Sequence, residues 1–407
     1  MTAIAAAPAE LDPQHAEIVS VTLPLIGAHI DEITTEFYRR LFANHPDLLR
    51  NLFNRGNQAQ GAQQRALAAS IATFAAHLVD PQLPHPAELL SRIGHKHASL
   101  GITAEQYPIV HEHLFAAIVA VLGADTVTDE VAAAWDRVYW IMAQTLIDIE
   151  RALYAAAGVA DGDVYRRVRV VSRLDDPSGA VLLTVRPAGG GFPEFLPGQY
   201  VSVGVTMPDG ARQLRQYSLV NAPGEDLTFA VRPVAAVGDQ PAGEVSTWIA
   251  SNVCVGDILD VTVPFGDLPA PTGDQPLVLI SAGIGITPMV GILEYLAANA
   301  PATPVQVLHA DRSDVSHPLR ERQHELMAQL TNGSLDVWYE DGLTAGQAGV
   351  HPGLLTLDGI ELPATAEIYL CGNNGFVQAV RTQLLARGVP ATRVHSELFS
   401  PNDWLLS

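Results

Sequence analysis

Ile280-Ser281-Ala282-Gly283-Ile284-Gly285-Ile286-Thr287-Pro288 is the stretch on which the reading of this chain turns. The run leading into it, Pro276–Ser281, is continuously apolar and reads as a strand, and Pro288–Ala298 after it reads as a helix. Gly283 and Gly285 let the backbone approach a pyrophosphate closely, and Thr287-Pro288 opens a helix whose dipole faces it. Ile284 and Ile286 complete the turn. The pattern is not G-x-G-x-x-G, and a tight strand–helix turn without a ligand is the plainer alternative. A second turn of the same kind is Tyr369-Leu-Cys-Gly-Asn-Asn-Gly-Phe376, with the Cys371 thiol at the carboxyl end of a strand, where ligands bind. Val305–His309, Leu335–Tyr339 and Glu367–Leu370 read as further strands, alternating with helices at Leu319–Leu330 and Gly375–Arg387. Residues 275–407 are thus predicted to form a doubly wound, parallel α/β domain.

Working back toward the amino terminus, the texture changes. Residues 158–274 carry short β-rich runs, Tyr165–Val171, Ala180–Val185, Tyr200–Val205 and Leu227–Val231, punctuated by Gly and Pro. A small antiparallel barrel or sandwich follows from that spacing. Within it, Arg215-Gln-Tyr-Ser-Leu219 follows Pro197-Gly-Gln-Tyr200. A flavin needs a flat aromatic against its ring, a hydroxyl near its polar edge and a cation for its pyrophosphate. Tyr200, Tyr217, Ser218 and Arg215, with Gln216 between, supply those groups on adjacent strands. Gly243-Glu-Val-Ser-Thr-Trp248 reads as a helix start able to face a phosphate.

Residues 1–157 read as helices throughout. Asp12-Pro13 caps one, Ile18, Val21, Leu25, Ile33, Phe37 and Leu41 keep helical spacing, and Thr103-Ala-Glu-Gln106 has capping-box form. Asp129–Ala157 is a long helix with Trp135, Val138, Ile141, Thr145 and Ile149 on one stripe. Among the histidines, His29, His45, His77, His85, His111 and His113 follow no ligand logic and are assigned surface or capping roles. His97 differs in its company: it follows a predicted helix at Pro86–Gly94 and precedes the helix start at Thr103. Gln63 and Leu67 share a face of a predicted helix Gln58–Val79, Phe53 ends a short segment, and Tyr38 sits beside Phe37.

The formal charge of −21 disfavours nucleic acid and anionic membranes as partners. No apolar stretch approaches a membrane span, and the opening residues lack a secretory signal, so a cytoplasmic location is expected. Two cysteines, Cys254 and Cys371, are too few for a zinc finger or thiolate iron–sulfur cluster. The only lysine among the 23 basic residues is Lys96, inside His95-Lys96-His97.

With these motifs in this order, residues 160–407 resemble the ferredoxin–NADP reductase superfamily. The whole chain resembles the flavohaemoglobins, which join a haem globin to such a reductase. The resemblance implies an all-α globin over 1–157, an FAD-binding barrel over 158–274 and an NAD(P)-binding domain over 275–407, with haem b, FAD and NAD(P)H as cofactors. By it, His97 is the axial iron ligand, Phe53 packs on the porphyrin, and Tyr38, Gln63 and Leu67 line the distal pocket. Tyr107 and Glu150 match the proximal partners of the axial histidine, and Lys96 a lysine beside it. Glu397-Leu398-Phe399-Ser400-Pro401 is similar to the final flavin-contacting segment. Leu398, Asn373-Asn374 and Ser400 depart from the commoner family pattern.

The activity implied is nitric oxide dioxygenation, with O2 and NO as small-molecule substrates and electrons passing from NAD(P)H through FAD to haem. The alternatives are a flavohaem reductase or peroxidase for another substrate, and an O2- or NO-binding globin reduced only to stay ferrous. No feature sets an oligomeric state, so a monomer is the default. Asp311 and Arg312 pull in opposite directions on the choice between NADH and NADPH.

Overall fold

A computed structural model describes residues 10–59, 61–80, 82–83, 89–189, 191–236, 238, 241–341 and 348–399. By packing, the described residues divide into two compact units: those within 10–165 and 206–214 in one, and those within 166–205 and 215–399 in the other.

The first unit is helical: α1 (Pro13–Ala28), α2 (Ile30–Asn44), α3 (Pro46–Asn51), α4 (Arg55–Ala59), α5 (Ala62–Val79), α6 (Ser91–Leu100), α7 (Tyr107–Leu122) and α8 (Asp129–Ala156). Asp12 caps α1 by accepting from the amides of Gln14 and His15, with Pro13 in the first turn. Thr103 and Gln106 form the reciprocal capping box before α7, around one 3₁₀ turn. α2 packs on α5 and α7, α1 on α5 and α8, and α6 on α8. Phe37, Leu41, Phe74, Trp135 and Ile141 are buried between them.

Two helix boundaries differ from those predicted. The helix expected over Gln58–Val79 is interrupted: α4 stops at Ala59, and α5 starts at Ala62 behind Gly61, whose φ of 70° is left-handed. The helix expected to end at Gly94 instead runs Ser91–Leu100, so His97 lies within it; residues 84–88 of that prediction lie outside the described residues. Gly94 does not break the helix because its missing side chain serves packing. A Cβ there would come 2.5 Å from Ile149 Cγ2 of α8. Two histidines assigned to surface or capping roles are packed instead: His113 is buried, and the half-buried His111 stacks on Phe115 and Trp140 with its Nε2 2.7 Å from Asp136.

An antiparallel sheet follows, made of β1 (Tyr165–Asp175), β2 (Val181–Pro187), β3 (Tyr200–Thr206), β4 (Arg212–Ser218), β5 (Leu227–Val231) and, after α9 (Glu244–Asn252), β6 (Ile258–Thr262). The order across the sheet is β4-β3-β6-β1-β2-β5. A register shift between Val170 and Ser172 bends β1. An antiparallel bridge from Leu219 to Phe229 then joins the two edge strands and closes the sheet into a small barrel. Val168, Leu183, Val203, Phe229 and Val261 fill its interior.

The tip of the β3–β4 hairpin belongs to the helical unit. Gln213, fully buried, donates to the Arg50 carbonyl (2.9 Å), Asn51 Oδ1 accepts from the Arg212 amide (3.2 Å), and Arg55 pairs with Asp209 (2.6 Å).

The last sheet is parallel in every pair, in the order β10-β9-β8-β7-β11-β12. Its strands are β7 (Leu277–Ala282), β8 (Val305–Asp311), β9 (Gly333–Tyr339), β10 (Val350–Pro352), β11 (Glu367–Gly372) and β12 (Val394–Leu398), flanked by α10 (Ile286–Asn299), α11 (Arg320–Gln329) and α12 (Asn374–Ala386). The order reverses between β7 and β11, the place where such sheets open a crevice at their carboxyl edge.

Candidate functional site

Three groups of side chains carry chemistry, and each is placed by a local structural reason. The first lies on α6, α7 and α8. The Gly94–Ile149 approach draws α6 onto α8, so His97, one turn after Gly94, meets Glu150 at 2.8 Å through Nδ1. Tyr107, the first residue of α7, is 3.2 Å from the same nitrogen and donates its hydroxyl to Glu150 (2.5 Å). α6 ends just beyond His97 in a Schellman-type cap: Gly101, in the left-handed region, donates to the Ala98 carbonyl, and Ile102 donates to the His97 carbonyl. Tyr154 then holds the Ile102 carbonyl, and Tyr139 the Tyr107 carbonyl.

Glu150 is only 1% exposed. Burial, then the Glu150 charge, drives the Tyr107 hydroxyl far above its ordinary titration range, so it stays a donor. With Nδ1 occupied, Nε2 is the nitrogen of His97 left for a metal. Lys96 is half-buried beside it.

On α2, the Tyr38 hydroxyl faces the amides of Gln63 and Gln58, and burial pushes its pKa up. Tyr38, Phe42 and Phe53 form a ring cluster with edge contacts at 5.9 and 5.3 Å from Phe53. Leu67 packs against the same core. Gln58 was not among the predicted site residues; as a polar residue before a helix break, it gave no periodic signal.

The second group lies in the barrel. Tyr200 on β3 and Arg215, Gln216, Tyr217 and Ser218 on β4 share neighbouring strands. Gln216 donates to Ser202 Oγ (3.0 Å), and Tyr217 stacks on Phe229 with ring centroids 5.6 Å apart. The Tyr217 hydroxyl and the Ser218 hydroxyl are buried with no hydrogen-bond partner among the described residues. Such atoms call for a partner from outside the chain.

The third group lines the carboxyl edge of the parallel sheet. A Cβ on Gly285 would sit 2.6 Å from the Cys371 carbonyl oxygen, so the glycine turn lies directly on the end of β11. Ser281, Cys371 and Glu397 stand side by side in register across β7, β11 and β12, and Leu398 pairs with Gly372. Ile284 is half-buried, whereas Ile286, Thr287 and Pro288 are buried as the start of α10, leaving backbone amides as what this turn offers. Thr287 Oγ1 donates to the Ile284 carbonyl (2.9 Å). Phe399 is 47% exposed, and Ser400 and Pro401 lie outside the described residues.

Beneath that edge is a buried polar cluster that sequence reasoning missed. His309 and His317 stack with centroids 3.9 Å apart, His309 Nδ1 is 2.9 Å from Ser281 Oγ, and Tyr339 meets His317 Nδ1 at 2.8 Å. Burial, reinforced by the positive Arg320 and by His324, lowers His317 to about 3. The unfolded chain binds protons near the ordinary value of 6.5 and the folded one does not. Stability is therefore complete above about pH 6.5 and falls on acidification toward pH 3, by up to roughly 5 kcal/mol for this group. Denaturation midpoints of His317→Asn, which keeps an acceptor for Tyr339, are expected to fall less steeply with acid than those of the parent. Equal slopes would show that His317 is not the titrating group.

Two family models match the chain: a globin over residues 35–146 and an oxidoreductase NAD-binding domain over residues 279–382. The flavohemoprotein of Bordetella parapertussis is 40% identical over 96% of this chain and 98% of its own length. That of Chromobacterium violaceum is 39% identical over 97% of this chain and all of its own. Among solved structures, the flavohemoglobin of Malassezia yamatoensis with bound FAD and heme superposes with a TM-score of 0.86 at 33% identity, covering 96% of this chain and 100% of that one. A flavohem-like FAD/NAD-binding domain of a Vibrio cholerae nitric oxide dioxygenase covers 57% of this chain and 98% of that one, at 35% identity and a TM-score of 0.54. A helical globin, an antiparallel flavin barrel and a parallel nicotinamide-binding sheet in this order place the chain in the flavohaemoprotein family, as an NAD(P)H- and FAD-dependent haem oxidoreductase.

Proposed function

We propose that this chain is a nitric oxide dioxygenase, converting nitric oxide and dioxygen to nitrate with electrons drawn from NAD(P)H. The observation that carries the reading is the buried Glu150 carboxylate on the second nitrogen of His97, with Tyr107 donating to it. A carboxylate there makes the imidazole more electron-donating and favours redox chemistry over reversible oxygen carriage. The relationship to the Vibrio cholerae nitric oxide dioxygenase points the same way.

The residues fit the groups the family carries. His97, its Nδ1 taken up by Glu150, would hold the iron of a haem through Nε2. The unpartnered hydroxyls of Tyr217 and Ser218 suit the polar edge of a flavin, with Arg215 for its pyrophosphate. When bound, haem supplies oxygen activation and FAD divides a hydride into single electrons. Oxidising nitric oxide to nitrate takes three electrons from nitrogen while dioxygen accepts four, so the balance needs one further electron per turnover, supplied by NAD(P)H.

The chain's own contribution is placement. Glu150 and Tyr107 fix the ring and tautomer of His97. Tyr38 and Gln63 present hydrogen bonds in a pocket walled by Phe53 and Leu67. Gly283 and Gly285 admit the dinucleotide to the edge that Cys371, Glu397 and Leu398 line, with Phe399 next in sequence. Domains over 1–157, 158–274 and 275–407 suit this division of labour, apart from the β3–β4 tip at 206–214, which packs in the helical unit.

Protein loaded with haem and FAD is expected to consume nitric oxide aerobically with NADH or NADPH; fully loaded protein that does not would end the proposal. Tyr38→Phe removes one hydrogen bond and is expected to slow aerobic consumption about tenfold, roughly 1.4 kcal/mol, with anaerobic flavin reduction unchanged. Unchanged aerobic turnover in a nitric oxide electrode would remove Tyr38 from the pocket's chemistry.

A further inference from the structure

Asp311, the last residue of β8, is buried yet half-satisfied. Its side chain is 6% exposed. Oδ1 accepts from the Arg312 amide and from Ser316 Oγ, both at 2.7 Å. Oδ2 has no hydrogen-bond partner among the described residues. Three things surround that oxygen: His309 Nε2 at 4.0 Å, Arg232 Nη1 at 3.7 Å, and the start of the nucleotide turn, where a Cβ on Gly283 would lie 4.0 Å away. His309 is fully buried, and its Nε2 likewise has no hydrogen-bond partner among the described residues. Two unsatisfied buried atoms therefore face each other beside a left-handed glycine that begins the dinucleotide turn. One hydroxyl at ordinary hydrogen-bond lengths of about 2.8 Å reaches both.

We propose that Asp311 makes this chain selective for NADH, its free oxygen accepting a hydrogen bond from a hydroxyl of the adenosine ribose and repelling the 2′-phosphate of NADPH. The inference rests on the nicotinamide reading of the carboxyl edge. A carboxylate at the end of the second strand of a doubly wound sheet is placed to bind ribose hydroxyls. Among the described residues the cations nearby are Arg232, Arg312 and Arg320, and the charge of Arg320 acts on His317 and Tyr339. Arg232 already faces Asp311 and lies 3.5 Å from the Cβ position of Gly283, where a pyrophosphate needs it. His309 is held neutral by burial beside His317 and Arg232 and brings no charge to a phosphate. Arg312 points its side chain to solvent, so its charge is screened by water while that of Asp311 is not.

The test is calorimetric titration of the full-length protein, loaded with haem and FAD, with ADP-ribose and with 2′-phospho-ADP-ribose. The unphosphorylated compound is expected to bind at least about tenfold more tightly, the equivalent of one modest charge repulsion. Asp311→Asn keeps the shape and the acceptor for Ser316, and is expected to close that gap to within about threefold, mostly by tighter binding of the phosphorylated compound. Arg312→Ala is expected to leave the gap as it was. Parallel turnover with NADH and NADPH should shift in the same ratio. Equal binding of both compounds by the parent, or an unchanged gap in Asp311→Asn, overturns the assignment of Asp311 alone and leaves a buried water as the occupant. Binding of neither overturns it together with the nicotinamide reading.

Discussion

Glu150→Gln is expected to lower nitric oxide turnover by about 10- to 100-fold while leaving the protein folded and haem-loaded. Glutamine keeps the volume of the side chain and an oxygen that accepts from Tyr107, so the buried pocket between α6, α7 and α8 stays filled. What it removes is the charge on the far side of the imidazole. The haem potential should rise, and dioxygen should bind reversibly with slower onward chemistry. Glu150→Ala adds a structural penalty, because the Tyr107 hydroxyl is left buried without an acceptor, at about 1–3 kcal/mol. Comparing the two separates charge from anchoring. If Glu150→Gln turns over at the parental rate with an unchanged potential, the carboxylate is a packing residue, and the main support for dioxygenation falls away.

Gly285→Ala is the second large effect. The added Cβ would meet the Cys371 carbonyl oxygen at 2.6 Å, its carbon at 2.7 Å and the Gly372 nitrogen at 2.8 Å. All three are backbone atoms of β11, locked in register with β7 and β12, so nothing yields cheaply. The turn must move off the sheet end, costing about 3 kcal/mol. Nicotinamide-driven flavin reduction should be lost even where the protein is folded, while chemically reduced protein still consumes nitric oxide. Gly283→Ala is the contrast. Its nearest contacts would be ordinary, at 3.5 and 4.0 Å, and only its φ of 54° resists, so about 1–2 kcal/mol is expected. Stopped-flow reduction by NADH that is equally fast in both variants would contradict this account of the turn.

The order of architectures was legible because each has its own periodicity: helical stripes such as Ile33-Phe37-Leu41, short β runs between glycines, and apolar strands ending in glycine turns. The burial of Glu150 was not. A carboxylate on a long helix looks the same in sequence whether it faces water or a histidine, and what buries it is the approach of α6 permitted by Gly94. That glycine was read as a helix end, since a missing side chain signals a break and a close contact alike. The cluster of Ser281, His309, His317 and Tyr339 was illegible for a related reason. Its members come from separate strands and loops, and only the parallel register brings them together. β4 gave little alternation because its residues, Arg212-Gln-Leu-Arg-Gln-Tyr-Ser218, are polar on both sides.

The hairpin tip at residues 206–214 bears on how this protein can be divided. It lies in sequence within the barrel, yet it is a structural part of the helical unit, where Gln213 satisfies main-chain carbonyls of α3 and Asp209 neutralises Arg55. A gene truncated after the last helix would therefore encode an incomplete globin, its α3–α4 surface stripped of a buried amide and a counter-ion. Exchange of modules between relatives by a single crossover carries the same defect. The unit of inheritance that preserves both folds is the helical segment together with the β3–β4 loop, two pieces of chain that have to change in step.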